Sequence, residues 1–207
     1  MRTSATAWVG PQFGRWPAGG GGGGDDPVVA NVLARASELL RMPAGLCEGF
    51  QVLQYKAGEH YWAHADWQGL QPPAGERFAT LLYYLSSPSG SGGGGHTVFP
   101  LANPGQRGFS LAAPASQGSH GRERHTVADF INATRDKTKR GVLENSCEGG
   151  LHVEPELGTA VFFYNVLPGA HTTAPRVDNT SFHVACDVEG SWDKWACNNW
   201  FRTLPRA

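Results

Sequence analysis

His64 and Asp66, two residues apart in His64-Ala65-Asp66, are a pair whose types and spacing could do chemistry. In an extended segment, residues two apart point to the same side, so an imidazole and a carboxylate can meet one metal ion. A histidine from a distant strand would complete a two-histidine, one-carboxylate set. That set leaves coordination positions open and suits non-haem iron(II). By itself a His-x-Asp is a weak signal in a chain with eight histidines, and a surface hydrogen-bonded pair is the plain alternative.

The third ligand candidate is His183, in the apolar-alternating stretch Ser181-Phe182-His183-Val184-Ala185-Cys186, where a lone histidine is ordinarily a satisfied core residue. Eleven residues on, Lys194 sits between Trp192 and Trp195. A cation buried beside a metal histidine needs an anion. The dicarboxylate 2-oxoglutarate meets both demands, with its keto acid end on the metal and its far carboxylate on the lysine. The alternative is a surface lysine flanked by partly exposed tryptophans.

The elements that must position these groups read mostly as strands. Residues 49–55, 77–85, 159–166, 181–188 and 195–204 alternate or are β-rich. One amphipathic helix is expected: Asp25-Asp26-Pro27 is a good start, and Val28, Val29, Val32, Leu33, Ala36, Leu39 and Leu40 recur at helical spacing until Pro43. Many short strands with one early helix predict a mainly β fold, a double-stranded β-helix (jelly roll), in a single domain over 1–207. The glycine run 19–24 and the stretch 86–95 (SSPSGSGGGG) read as flexible loops. Residues 102–150 read as an inserted, solvated loop of mixed charge, with a basic binding patch as the alternative.

Bulk properties narrow the function classes. A net charge of −1 argues against a generic nucleic-acid or anionic-membrane binder. No apolar run approaches the roughly 18 residues of a membrane span, and the N-terminus lacks the apolar region of a secretory signal. Four scattered cysteines make neither a disulfide scaffold nor a zinc site, and leave free thiols or one disulfide.

Several ordered motifs carry a family resemblance. Tyr55-x-x-Gly58-x-x-Tyr61-x-x-His64-x-Asp66 resembles the iron-binding signature of prolyl 4-hydroxylases, especially the plant and algal enzymes. Glu48 to Leu53, Arg77-x-Ala79-Thr80-x-Leu82-x-Tyr84-Leu85 and Gly94-Gly95-His96-Thr97-Val98-Phe99-Pro100 are similar as well. So are Leu151-His152-Val153-x-Pro155, His183-x-x-Cys186-x-Val188, Lys194-Trp195-x-x-x-x-Trp200 and, near the start, Arg2-Thr3-Ser4. The resemblance implies iron(II), 2-oxoglutarate, O2 and L-ascorbate as cofactors, and hydroxylation of peptidyl proline to 4-hydroxyproline with release of succinate and CO2. It implies His64, Asp66 and His183 as iron ligands and Lys194 on the far carboxylate of 2-oxoglutarate, helped by Tyr55 and Thr97. Tyr61, Arg77 and Trp200 would line a groove for a proline-rich peptide or protein. The resemblance also implies that Cys147 and Cys186 lie close enough to pair, and it points to the endoplasmic reticulum or Golgi. There the acceptor patterns at Asn132 and Asn179 would matter. Oligomeric state stays open.

The sequence departs from the family in three places. Lys194 falls eleven residues after His183 where the family has ten, so a turn or bulge must absorb one residue. Arg202 stands where the family often has a histidine at the substrate groove. The family's usual upstream helix and strand are missing, so a fragment or shortened form is expected. Two alternatives remain: the same chemistry on another side chain or a free amino acid, and a non-catalytic peptide-binding module.

Overall fold

The computed structural model describes residues 3–10, 26–67, 75–102, 145–167 and 177–203. The glycine run at 19–24, the Asn132 pattern and residues 103–144 of the expected insertion lie outside them. In chain order the elements are β1 (Ala5–Val9), α1 (Pro27–Leu40), β2 (Cys47–Tyr55), β3 (Tyr61–His64), β4 (Arg77–Tyr84), β5 (Gly93–Gly94) and β6 (Thr97–Phe99). After these come β7 (Leu151–Val153), β8 (Ala160–Tyr164), β9 (His183–Ala185), β10 (Val188–Glu189) and β11 (Lys194–Arg202). Single 3-10 turns precede β2, β7 and β9.

The helix begins as its residues dictate. The Asp26 side chain accepts a hydrogen bond from the Val28 amide at 2.7 Å, and Pro27 occupies the first turn, where its missing N–H costs nothing. It ends where Arg41 turns left-handed, with φ of 52°. Its apolar stripe, centred on the buried Leu33 and Ala36, packs on Phe50, Leu81, Cys197 and Phe201. Each leucine-sized side chain buried this way contributes about 1.5–3 kcal/mol.

The strands form a five-stranded sheet in the order β1-β2-β11-β4-β8, a four-stranded sheet in the order β3-β9-β6-β7, and the two-stranded ribbon β10-β5. The named pairings are antiparallel. This corrects the jelly-roll expectation. Among the described residues the ladders stop at β1 and β8 in one sheet and at β3 and β7 in the other, no sheet closes on itself, and the fold is mixed, with open antiparallel sheets and one long helix. Alternation along a strand reports only that one face is buried, and open and closed sheets share that signature. Apolar clusters join the two larger sheets: Phe99 and Leu151 of the smaller meet Phe163 of the larger.

Period two sorts the residues of the five-stranded sheet. Leu81 and Cys197 face the helix, whereas Leu82, Tyr84 and Ala196 belong to a separate cluster with Val153 of the other sheet. The second face also carries the functional candidates, because Lys194, Trp200 and Arg202 share the parity of Ala196. Register then sets neighbours: Lys194 opposite Tyr55, Trp200 opposite Thr80, and Arg202 opposite Arg77. Arg77 reaches that position through an irregularity. Phe201 pairs with Ala79 but Arg202 pairs with Arg77, so Phe78 is skipped and the strand changes phase.

One loop expectation changes in part. The end of the 86–95 stretch packs tightly: a Cβ on Gly94, at φ of 67°, would run into the Asp187 carbonyl, and one on Gly95 would press on the Lys194 stem at 3.2 Å, whereas residues 87–91 are exposed. Cys147 and Cys186 form a disulfide with Cα atoms 5.9 Å apart, as the resemblance implied. Cys47 and Cys197 are buried free thiols.

Candidate active site

Three ligand-bearing side chains converge between β3 and β9. His64 ends β3 and His183 begins β9; they are register partners, and their rings lie 4.4 Å apart. Asp66, just past the end of β3, turns its carboxylate toward both, with Oδ1 3.8 Å from His64 Nε2 and Oδ2 3.9 Å from His183 Nε2. One ligand atom from each of the three lies within 4.8 Å of the others. No other such group occurs among the described residues.

The ring nitrogens have divided tasks. His64 Nδ1 lies 2.8 Å from the Trp62 carbonyl and His183 Nδ1 2.9 Å from the Ser181 carbonyl. A carbonyl only accepts, so each Nδ1 carries a proton, and each Nε2 is turned to the centre. Burial, then His183 beside it, pushes His64 down to about 3, so it stays neutral at physiological pH. Burial pushes the Asp66 carboxyl up, but His183, His64 and Arg77 outweigh it and leave it below the ordinary range. Two imidazoles and one carboxylate, separated too far to hydrogen-bond, form a donor set for a divalent cation. Tyr61 stacks on His64 at 3.8 Å, while Phe99 and Phe163 wall His183 at 5.7 and 5.0 Å.

Behind the carboxylate stands a relay that the sequence reading missed. The Thr80 hydroxyl donates to Asp66 Oδ2 at 2.8 Å, and Asn165 Nδ2 donates to Thr80 Oγ1 at 2.9 Å. Thr80 and Asn165 are wholly buried, so each bond replaces water that cannot enter. The Trp200 indole N–H also faces Asp66 and helps hold it ionised, without closing to full hydrogen-bond geometry.

Lys194 is buried to 1 % exposure. Lys194 follows a turn at 190–193, where Gly190 takes φ of 81° and the buried Trp192 donates to the Gly93 carbonyl at 2.9 Å. Its Nζ lies 5.3 Å from the Tyr55 ring and 5.6 Å from the Tyr84 ring, and no described carboxylate pairs with it. Burial pushes the ammonium down to about 7. Close by, the Tyr84 hydroxyl and Thr97 Oγ1 are buried without a full hydrogen-bond partner, although each influences the other. A buried cation with two buried hydroxyls beside it fits the carboxylate end of a small acid. Tyr84 enters here although only its motif had been noted. Opposite-strand pairing with Ala196 was the missing information.

Trp200 is buried, with Arg77 stacked on its ring at 3.7 Å and Trp8 of β1 next to it at 5.9 Å. Arg77 grips Glu48 with two bonds, Nε to Oε1 at 2.6 Å and Nη2 to Oε2 at 2.9 Å. Tyr61 lies against His64. Trp8, partly exposed at 44 %, was not foreseen in any role.

Comparison with known proteins agrees with this geometry. The profile of the 2OG-Fe(II) oxygenase superfamily matches residues 50–202. The chain is 31% identical over 177 residues to a human transmembrane prolyl 4-hydroxylase, covering 77% of this chain and 30% of that protein. It is 31% identical over 176 residues to probable prolyl 4-hydroxylase 3 of Arabidopsis thaliana, covering 84% and 48%. The chain thus spans about a third to a half of the length of these relatives. Among solved structures, the viral collagen prolyl hydroxylase of Paramecium Bursaria Chlorella virus-1 superposes with a TM-score of 0.57 at 21% identity, covering 97% of this chain and 80% of that one, a likeness of fold. With the matched profile reaching from β2 to the end of β11 and enclosing the His64–Asp66–His183 cluster and Lys194, this chain belongs to the 2OG-Fe(II) oxygenase superfamily.

Proposed function

We propose that this enzyme hydroxylates peptidyl proline at carbon 4, with His64, Asp66 and His183 holding iron(II) and Lys194 anchoring 2-oxoglutarate. The observation that carries the co-substrate assignment is the buried Lys194 ammonium, which meets no described carboxylate. The relatives named as prolyl 4-hydroxylases support the proline assignment. Bound iron supplies the oxygen chemistry, in which 2-oxoglutarate is split to succinate and CO2 and one oxygen atom enters a C–H bond.

The protein's residues then have separable tasks. His64 and His183 offer Nε2 lone pairs, and Thr80 keeps the Asp66 carboxylate oriented. Lys194, with the Tyr84 and Thr97 hydroxyls, receives the far carboxylate of 2-oxoglutarate; Tyr55 packs beside the ammonium. The Trp200, Arg77 and Tyr61 side chains form the wall against which an uncharged pyrrolidine ring would lie. The Cys147–Cys186 disulfide supports an oxidising compartment, the endoplasmic reticulum or Golgi. Among the described residues no helix is long and apolar enough to cross a membrane.

The test is incubation with iron(II), 2-oxoglutarate, ascorbate and a proline-rich peptide, read by mass spectrometry and succinate release. One added oxygen on proline, with matching succinate, is expected. Oxygen on another side chain or on a free amino acid would replace the substrate assignment. Peptide binding without iron, 2-oxoglutarate or succinate would favour a non-catalytic module.

The metal assignment makes a second prediction. Thr80→Val keeps the shape but removes the donor to Asp66, and should weaken Mn(II) binding about 10–100-fold in titration calorimetry. Unchanged affinity would remove Thr80 from the metal site. A third concerns pH. In the ligand-free chain the folded value of Lys194 lies below its unfolded one, so its burial costs stability fully below about pH 7. That cost disappears as pH rises through the ordinary lysine range. The dicarboxylate binds the protonated form, so its affinity should be flat below about pH 7 and weaken above it by up to about tenfold per unit. Lys194→Ala should weaken 2-oxoglutarate binding about 100-fold, abolish that slope and leave Mn(II) binding nearly intact. A slope that survives in the variant would contradict the anchor.

A further inference from the structure

Arg202 stands on the site face of β11, and its side chain is turned inward at 2 % exposure. Its Nε lies 2.8 Å from Glu48 Oε1, and its Nη1 donates to the Gly75 carbonyl at 2.7 Å. Glu48 Oε1 is the same oxygen that takes Arg77 Nε at 2.6 Å. Two guanidinium groups are therefore register partners on adjacent strands and share one buried carboxylate. Like charges set directly opposite repel, so the pair holds together through Glu48.

This geometry has a direction. Arg202 is tied on both sides, to Glu48 and to the backbone at Gly75, where Thr203 and Glu76 also exchange hydrogen bonds. Arg77 is tied to Glu48 alone among its described hydrogen bonds, and its guanidinium lies on Trp200, whose N–H faces the Asp66 carboxylate. We propose that Arg202 is a positioning residue: it fixes Glu48 from behind, and Glu48 in turn holds Arg77 on Trp200, so that the wall of the substrate groove is set without Arg202 touching substrate. The inference rests on the groove assigned above. Arg202 would then act on the groove from behind it, its Nη1 bound to the Gly75 carbonyl and its Nε 2.8 Å from Glu48 Oε1 as an ion pair short of full hydrogen-bond geometry.

Arg202→Gln removes the charge and shortens the reach, while Arg202→Lys keeps the charge but cannot fork between Glu48 and Gly75. With a proline-rich peptide, Arg202→Gln should raise the peptide KM about 30-fold, while the 2-oxoglutarate KM and Mn(II) affinity stay within about twofold. Arg202→Lys should recover most of the peptide affinity. Independently of turnover, the Arg77 Nε–H resonance should be protected from solvent exchange in the parent protein and lose that protection in Arg202→Gln. Should Arg202→Gln fail to fold, Glu48→Gln must produce the same loss at Arg77. Protection that persists in these variants, or a loss spread evenly over peptide, 2-oxoglutarate, metal and melting temperature, overturns the proposal. If the parent protein hydroxylates no proline peptide, the substrate assignment fails, and the Arg77 resonance still decides the role of Arg202.

Discussion

A charge taken out of water must be met by an opposite charge or by hydrogen bonds, and the buried charges of Glu48, Asp66 and Lys194 are the three on which the site turns. Glu48 is met by two arginines, and Asp66 by Thr80, two facing imidazoles and the field of Arg77. Lys194 alone of the three meets no described opposite charge. The imbalance marks where a ligand must complete the structure. It also explains the tight packing of the glycine stretch at 92–95, because a side chain at Gly95 would crowd the lysine stem that reaches the pocket.

Strand β11 is the spine of the arrangement. Its alternate residues supply the cation at Lys194, the aromatic wall at Trp200 and the strut at Arg202. Both neighbouring strands answer in register: Tyr55 beside the cation, and Thr80 and Arg77 beside the wall and the strut. A one-residue slip would turn these groups toward the helix and expose the core face, so the register is held by burial on both faces. The irregularity at Phe78 is part of this design, since it brings Arg77 opposite Arg202.

Much of the centre was legible in the residues themselves. His64 and Asp66 are close in sequence, and a single histidine in an apolar strand is conspicuous enough to suggest the third ligand. The helix was legible too, because Asp26, Pro27 and a 3.6-residue period act locally. Sheet closure was not, since alternation says which face is buried and nothing about what the edge strands meet. Thr80, Asn165 and Tyr84 gain their roles only from pairing between distant strands, and threonine, asparagine and tyrosine are ordinary strand and turn residues. The shifted lysine spacing looked like a register problem, yet Lys194 lies buried opposite Tyr55. Arg202 stands where the family often has a groove histidine, whereas Glu48, far off in sequence, draws it inward.

The central claim is that the Lys194 charge is satisfied by the far carboxylate of a dicarboxylate whose other end meets the metal centre. The most direct measurement compares 2-oxoglutarate with 2-oxobutanoate, which keeps the keto acid and lacks that carboxylate, by titration calorimetry on the Mn(II)-loaded protein without oxygen. An affinity for 2-oxoglutarate at least about 100-fold greater is predicted, as expected for filling a buried and otherwise unpaired charge. Equal affinities would contradict the account.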